Sequence, residues 1–340
     1  MIKPLTLATL LLLLLVAQTS VSSEVNVPAG QTLIINNQNV TIQGNFTSLK
    51  ATVTITNSTI QGTGKLQFAY GSITIISSTI RDFTSVSILY SSKLVIQNLT
   101  IQNLSQPLSL SCITNYKVDG LTFTDCKPIT ILNLYKMCNG AITGLSYTYT
   151  TKTLVGCAVS LVKCSNLTFN QATGTGPRTV DSPHHHILAC GTENRDITIQ
   201  NSMFHGGGNG GTAGVSNFIN CTFINNTDGA ESKGTTPANF KNCTWIGTHD
   251  AEINLQSGAQ FNFVACTFTK GLVNLNNGLA TVTNCTFPNG VVMADLGGNR
   301  DGITHQGVVW QFWNYTHYYK VSVADWGLNA QNLNYTLMPD

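Results

Sequence analysis

Charged residues are scarce in this sequence. They make up 9% of the 340 residues, whereas an ordinary soluble domain contains about 25%. The 17 Lys and Arg residues nearly balance the 15 Asp and Glu residues, and the formal net charge is +2. This balance argues against partners that are held by a strong positive potential, so we expect no nucleic acid, anionic membrane or strongly acidic partner.

Long hydrophobic runs are also nearly absent. The one exception, residues 5–17, follows Lys3 and precedes the small residues 20–23. This arrangement is typical of a secretory signal peptide, and the run is shorter than the ~20 residues of a membrane-spanning helix. We therefore predict a signal peptide at residues 1–23, cleaved after Ser22 or Ser23. The mature protein is expected to be secreted and extracellular, with no membrane span.

What the sequence does contain is a repeat. A pattern of Asn, then Cys, Leu or Ser, then Thr, then Phe, Ile or Trp recurs along the chain. Its clearest copies are residues 57–60, 98–101, 166–169, 220–223, 242–245 and 284–287. Apolar residues alternate within the copies, and Val, Ile, Thr and Phe dominate, which is typical of β-strands. The sequence therefore predicts an all-β protein.

The spacing of the repeat indicates a solenoid. Its third position gives the series Thr41, Thr59, Thr79, Thr100, Thr122, Ser146, Thr168, Met203, Thr222, Thr244, Thr267 and Thr286. All intervals but one lie between 18 and 24 residues, and the exception is 35 residues. Short strands and turns in repeats of this length, with no room for a helix, predict a single right-handed parallel β-helix of about 12 coils.

The repeats resemble the pectin-lyase-like family of right-handed parallel β-helix proteins over about residues 30–300. This resemblance implies an architecture, because the fold is shared by lyases, hydrolases, adhesins and structural proteins. We assign the β-helix to residues 24–300. Residues 301–340 break the repeat and hold three of the four tryptophans, so we predict that they form an aromatic-rich C-terminal cap.

The ten cysteines are consistent with an oxidising compartment. The strand alternation places Cys221, Cys243, Cys266 and Cys285 at one interior position of consecutive coils, either as disulfides or as buried thiols. The chain also has twelve sites for N-glycosylation, some of which the repeat would generate without any glycan. They are Asn39, Asn45, Asn57, Asn98, Asn103, Asn166, Asn220, Asn225, Asn242, Asn284, Asn314 and Asn334.

The 35-residue interval predicts a loop that leaves the solenoid between Thr168 and Met203. Within and just after it lie the binding candidates His184, His185, His186 and His205. Loops on rigid scaffolds commonly carry binding and catalytic residues. The alternative is a solvated excursion with no such role.

A second candidate site contains acidic residues. Asp228 and Asp250 each follow their repeat's Thr by six residues, so we expect them to stack on adjacent coils. Carboxylates about 5 Å apart share a cation or force one pKa upward, and calcium, held by Asp228, Asp250 and Glu252, is the one candidate cofactor. The alternative is a set of surface charges at turns.

This acidic region is similar to that of β-helix polysaccharide lyases of the chondroitinase B and alginate lyase type. The resemblance implies Glu231 as an acid and Lys233 as the base, and His249 is the third catalytic candidate. Gln256 stands where that pattern has Arg.

Two functions follow from these features. We favour a secreted, N-glycosylated, non-enzymatic component of a matrix, wall or surface that binds glycans or copies of itself. The alternative is a secreted polysaccharide lyase or glycoside hydrolase. An ice-binding face of Thr ladders is a third hypothesis.

Overall fold

The computed structural model is all-β. It describes residues 18–21, 24–128, 130–148, 156–176, 185–186, 193–206, 209–211, 215–226, 228–232, 237–248, 253–255, 259–269, 272–274, 279–286, 291–295, 303–305, 309–313, 318–323 and 333–337. Contacts divide the chain into a first unit, Met1–Tyr149 with Ala158–Asn170, and a second unit, Thr150–Cys157 with Gln171–Asp340.

The strands are short and numerous. The first eighteen are β1 (Gln18–Val21), β2 (Val25–Val27), β3 (Thr32–Asn36), β4 (Asn39–Ile42), β5 (Phe46–Leu49), β6 (Thr52–Thr56), β7 (Thr59–Gly62), β8 (Lys65–Ala69), β9 (Ser72–Arg81), β10 (Ser85–Leu89), β11 (Lys93–Gln102), β12 (Leu108–Ser111), β13 (Tyr116–Thr124), β14 (Leu132–Tyr135), β15 (Cys138–Thr148), β16 (Gly156–Cys157), β17 (Val159–Val162) and β18 (Ser165–Asn170).

The remaining strands are β19 (Thr173–Thr175), β20 (His185–His186), β21 (Arg195–Gln200), β22 (Met203–His205), β23 (Asn209–Gly211), β24 (Asn217–Ile219), β25 (Thr222–Ile224), β26 (Asp228–Ser232), β27 (Ala238–Lys241), β28 (Thr244–Ile246), β29 (Ile253–Leu255), β30 (Gln260–Val264), β31 (Thr267–Phe268), β32 (Leu272–Asn274), β33 (Leu279–Thr283), β34 (Val291–Asp295), β35 (Ile303–His305), β36 (Val309–Trp313), β37 (Tyr318–Val323) and β38 (Leu333–Leu337).

The strands of each unit stack in parallel, each one against the strand one turn later in the chain. In the first unit β6 pairs with β9 and β9 with β11, while β2, β5, β8, β10, β12, β14 and β17 form another sheet. In the second unit β24, β27 and β30 pair in the same way. This confirms the predicted parallel β-solenoid.

The core consists of side chains stacked in columns. In the first unit these are mostly aliphatic, as in the column of Ile55, Ile75 and Ile96. In the second unit they are aromatic: the rings of Phe218 and Phe240 stack with centroids 4.7 Å apart, and those of Phe240 and Phe263 with centroids 4.9 Å apart. These ring separations are close to the distance between parallel strands one turn apart. This explains why the same residue type recurs at one position of successive turns.

The solenoid has about nine turns rather than the predicted twelve. Two members of the Thr series also do not stand in the main column of the series. Thr41 lies opposite Gln61 rather than Thr59, and Thr168 lies opposite Ala141, not Ser146. The 35-residue interval was therefore measured between two different columns.

The parallel stacking ends near the C-terminus. β36 pairs antiparallel with β37, and β37 pairs antiparallel with β38. The side chains of residues 301–340 lie outside the described part of the structure, so the aromatic cap stays a prediction. The aromatic cluster that the structure describes runs from Phe204 to Phe268, inside the solenoid. Among the described residues, no helix is long and apolar enough to cross a membrane.

Candidate functional site

One corner of the first unit differs from the others in its residues. At solenoid corners the backbone enters the left-handed region, where Asn, Asp and Gly are the least strained residues. Most non-glycine residues at such positions here are Asn or Asp. Six of the exceptions follow directly after the strands of one sheet: Lys50, Tyr70, Tyr90, Cys112, Lys136 and Lys163. We call this row the tyrosine–lysine corner.

Backbone hydrogen bonds hold this corner rigidly. The N–H of Tyr70 donates to the carbonyl oxygen of Leu89 at 3.0 Å, and the N–H of Tyr90 donates to Ser111 at 2.8 Å. The same bond recurs at Lys50 and at Lys136, each to the residue that ends the strand one turn later. Successive corner side chains are therefore held about 4.8 Å apart along the solenoid.

The two tyrosines of the corner form an exposed aromatic pair. The rings of Tyr70 and Tyr90 are nearly parallel, 6° apart, with centroids separated by 5.0 Å. Tyr70 is 51% exposed and Tyr90 is 49% exposed. A pair of large rings half in water, outside the core, is a typical contact surface for a ligand with an apolar face.

Cations flank the aromatic pair. Lys50 stands one turn before Tyr70, and Lys136 and Lys163 follow Cys112. The ammonium of Lys136 lies 5.3 Å from the ring centroid of the exposed Tyr135, within the range of a cation–π contact. The acidic residues of this unit, Glu24, Asp82, Asp119 and Asp125, are not part of the corner.

A polar row runs beside the corner. Its members are the central outward-facing residues of the same strands, each opposite the next: Thr47, Gln67, Ser87, Ser109, Asn133 and Ser160. All are partly exposed. The row supplies hydroxyl and amide groups at one-turn spacing next to the tyrosine rings.

The second unit has an asparagine ladder at another corner. Asn201, Asn220 and Asn242 all have left-handed backbone conformations. The Nδ2 of Asn220 donates to Oδ1 of Asn201 at 3.0 Å, and the Nδ2 of Asn242 donates to Oδ1 of Asn220 at 3.2 Å. Asn therefore recurs in the repeat because it suits the corner and bonds to its own copies.

The sites for N-glycosylation are accessible where their side chains are described. Asn39, Asn57, Asn98, Asn166, Asn220, Asn242 and Asn284 are exposed, and Asn45, Asn103 and Asn225 are partly exposed. The side chains of Asn314 and Asn334 lie outside the description.

The cysteine column has the predicted interior placement. Cys221, Cys243 and Cys266 are at most 1% exposed, while Cys285 is partly buried. None of the four forms a disulfide in the structure. The Cys243 thiol donates to the carbonyl oxygens of Phe218 and Lys241, both at 3.5 Å. Hydrogen bonding to Cys221 and Cys266, together with burial, raises the pKa of Cys243. The same hydrogen bonds with Cys243 lower the pKa of Cys221 and of Cys266.

The predicted acidic site is described only in part. Asp228 lies opposite Asn209, and Glu231 lies opposite Gly211 on one side and Asn254 on the other. Lys233, His249, Asp250 and Glu252 lie outside the described residues, so their stacking and catalytic roles stay predictions. In the part of the chain that is described, no group of three or more His, Cys, Asp or Glu residues could hold a metal.

The predicted histidine site is also described only in part, and its described members lie on two different strands. The backbones of His185 and His186 lie opposite Gly156 and Cys157. Asn209 lies between His186 on one neighbouring strand and Asp228 on the other. One row of the second unit therefore contains a residue of the histidine site and a residue of the acidic site. His205 is partly buried with Nε2 at 3.3 Å from Nδ2 of Asn225, and His184 lies outside the described residues.

The tyrosine–lysine corner was missed at the sequence level. Its residue types vary, and no repeated letter marks it. The available signal was spacing: Lys50, Tyr70 and Tyr90 follow one another at 20-residue intervals. That interval matches the Thr repeat and could have grouped them.

Comparisons with known proteins add little. No protein family and no curated protein matches the sequence. One similar solved structure is ORF18 of Geobacillus virus E2, which is 12% identical; the alignment covers 94% of this chain and 71% of that chain, with a TM-score of 0.25. Such a likeness supports no conclusion about function.

Proposed function

We propose that this protein is a secreted, N-glycosylated, non-enzymatic β-helix protein of an extracellular matrix, wall or surface. In this proposal it binds glycans through the tyrosine–lysine corner. The observation that carries the proposal is the half-exposed, parallel pair of Tyr70 and Tyr90 at a left-handed corner.

Backbone strain supports a role for these two tyrosines. A bulky residue in the left-handed region costs about 1–2 kcal/mol more than Gly, and such strain tends to accumulate at functional sites. The chain places Asn at the equivalent positions of other corners, as at Asn57 and Asn98. Since the exposed rings of Tyr70 and Tyr90 add little to the core, the strain at these positions favours a role in a contact outside the chain.

The surroundings of the pair favour a glycan as the partner. A sugar ring has an apolar face that stacks on an aromatic ring and a rim of hydroxyl groups that need hydrogen bonds. The polar row from Thr47 to Ser160 supplies donors and acceptors beside the rings. Both rows follow the solenoid with a regular repeat, which suits an extended polysaccharide better than a compact ligand.

Secretion and glycosylation have their own support. The apolar run of residues 5–17 follows a cation and precedes small residues, as in a signal peptide. Asn98 and Asn166 expose their side chains, which leaves room for a glycan.

Binding to a panel of immobilised polysaccharides tests the proposal. The double variant Tyr70→Gly, Tyr90→Gly removes the rings and introduces residues that tolerate the left-handed backbone without creating a new sequon, so it should fold as well as the natural protein. We expect about tenfold weaker binding, the equivalent of 1.4 kcal/mol. Ile34→Thr is the matched control, because Ile34 is 57% exposed but lies in the other sheet.

Two results would contradict the proposal. If the natural protein binds none of the polysaccharides, glycan recognition is wrong. If the double variant binds as tightly as the Ile34→Thr control, the tyrosine–lysine corner is not the contact surface.

A further inference from the structure

The first strand of the solenoid lies within the predicted signal peptide. β1 (Gln18–Val21) pairs in parallel with β4 (Asn39–Ile42) over its full length, with Gln18 opposite Asn39 and Val21 opposite Ile42. The N–H of Gln43 donates to the carbonyl oxygen of Val21 at 3.0 Å.

The side chain of Val21 belongs to the core. It is 8% exposed and covers Ile42, which is 1% exposed. β1 therefore ends the first unit as a paired, partly buried strand.

Cleavage after Ser22 or Ser23 would remove this strand. β4 would then lose its four residue pairs with β1, and the open edge of the stack would move from β1 to β4. Ile42 would also lose the cover of Val21. Loss of β1 would therefore bring the otherwise buried Ile42 to the open edge, and open strand edges with apolar neighbours promote pairing with other chains.

A cleavage site one strand earlier avoids this loss. The apolar run ends at Ala17, which places a small residue directly before the bond to Gln18, while Leu15 occupies the position two residues earlier. We propose that signal peptidase hydrolyses the bond between Ala17 and Gln18. Water adds across that bond, so the leader leaves with the Ala17 carboxylate and the mature chain begins with the Gln18 amine. This inference rests on the secretion part of the proposed function.

The N-terminal peptide of the secreted protein, identified by mass spectrometry, tests the inference. We expect it to begin at Gln18, either with a free amine or as the lactam formed when that amine displaces ammonia from the glutamine side chain. A chain that begins at Ser23 or Glu24 overturns the inference and leaves secretion intact. A chain that retains Met1 overturns both.

A pair of variants provides an independent test. If β1 remains in the mature protein, Val21→Gln introduces a polar group at a buried position and should lower the thermal midpoint of the secreted protein. Ser20→Gln, on the exposed side of the same strand, should leave it unchanged. If both secreted variants have the mass and thermal midpoint of the natural protein, β1 has been removed and the inference is wrong.

Discussion

At the scale of single residues, the corners determine which side chains recur. A left-handed backbone favours Asn, whose short amide side chain can also bond to the Asn one turn away. The Asn201, Asn220 and Asn242 ladder shows both effects. The Asn of the repeat is therefore explained by the fold, whether or not a glycan is attached.

The fold also explains why cysteine recurs at the inward position directly after the corner. Ser58 occupies this inward position in the first unit, is 4% exposed, and donates its hydroxyl to the carbonyl oxygen of Thr56 at 2.7 Å. Cys243 occupies it in the second unit and donates its thiol to Lys241, also two residues back. A cysteine there is a larger, more apolar form of the same hydrogen-bond donor.

A buried hydroxyl gives a prediction about stability. The Oη of Tyr116 is buried and has no hydrogen-bond partner among the described residues. Tyr116→Phe should therefore stabilise the protein by about 1 kcal/mol at neutral pH, because it removes an unsatisfied polar group. The measurement is urea denaturation of both proteins.

The same residue predicts a dependence on pH. Burial, with smaller contributions from Cys164 and Cys138, raises the pKa of Tyr116. Above the ordinary tyrosine pKa of about 10, the unfolded chain releases the Tyr116 proton while the folded chain keeps it. The free energy of unfolding of the natural protein therefore falls as the pH rises above about 10, and below that pH this loss is absent. The advantage of Tyr116→Phe should grow above that pH. The exposed Tyr135→Phe is the control, and an equal gain there would contradict the burial argument.

At the scale of strands and turns, the alternation of apolar and polar residues predicted correctly which side chains face the core. The repeat did not predict which residues share a column. Alternation placed Cys221 and Phe223 inside and Thr222 outside, as observed. The column of Thr168 was mistaken because a long strand such as β15 contributes to two columns, one on each side of its Gly144 bend. The repeat letters alone do not distinguish these columns, since Thr suits the outward position of both.

An interrupted ladder gives a prediction at this scale. Ala265 is exposed and left-handed, as are the ladder residue Asn242 and the corner residue Asn284 in neighbouring turns. Ala265→Gly should stabilise the protein by about 1 kcal/mol because it relieves the backbone strain. Ala265→Asn should relieve strain and add a ladder hydrogen bond, worth about 0.5–1.5 kcal/mol.

Denaturation of the proteins made in a host without N-glycosylation measures both effects, since Ala265→Asn also creates a new sequon. If Ala265→Asn is no more stable than Ala265→Gly, the ladder hydrogen bonds add nothing to stability.

At the scale of the whole molecule, the small net charge is the sum of a positive first unit and a negative second unit. Residues 24–149 and 158–170 contain eight Lys or Arg and four Asp or Glu, whereas residues 150–157 and 171–340 contain eight Lys or Arg and eleven Asp or Glu. The total of +2 could not reveal this division, because opposite excesses cancel. The expectation that acidic partners are absent therefore does not extend to the first unit.

This positive unit yields the last prediction, that the tyrosine–lysine corner prefers acidic polysaccharides. Lys50, Lys136 and Lys163 stand in one row with no acidic residue among them. Changing all three to Gln should weaken binding of polygalacturonate or heparin about tenfold or more, while binding of neutral dextran stays unchanged. Added salt should weaken the natural protein's binding more than the variant's, because exposed charges are screened within about 10 Å at 0.1 M.

The matched control changes Lys65, Lys93 and Lys117 to Gln, which removes the same charge from exposed positions of the first unit outside the corner. Both triple variants lose the same net charge, so long-range attraction to the polymer weakens equally in both. Only the variant at Lys50, Lys136 and Lys163 also loses the lysines that would contact the bound polymer. Titration of each protein with the acidic polysaccharide separates these effects. If both triple variants lose affinity equally, the attraction belongs to the unit as a whole and the row of lysines is not a binding site.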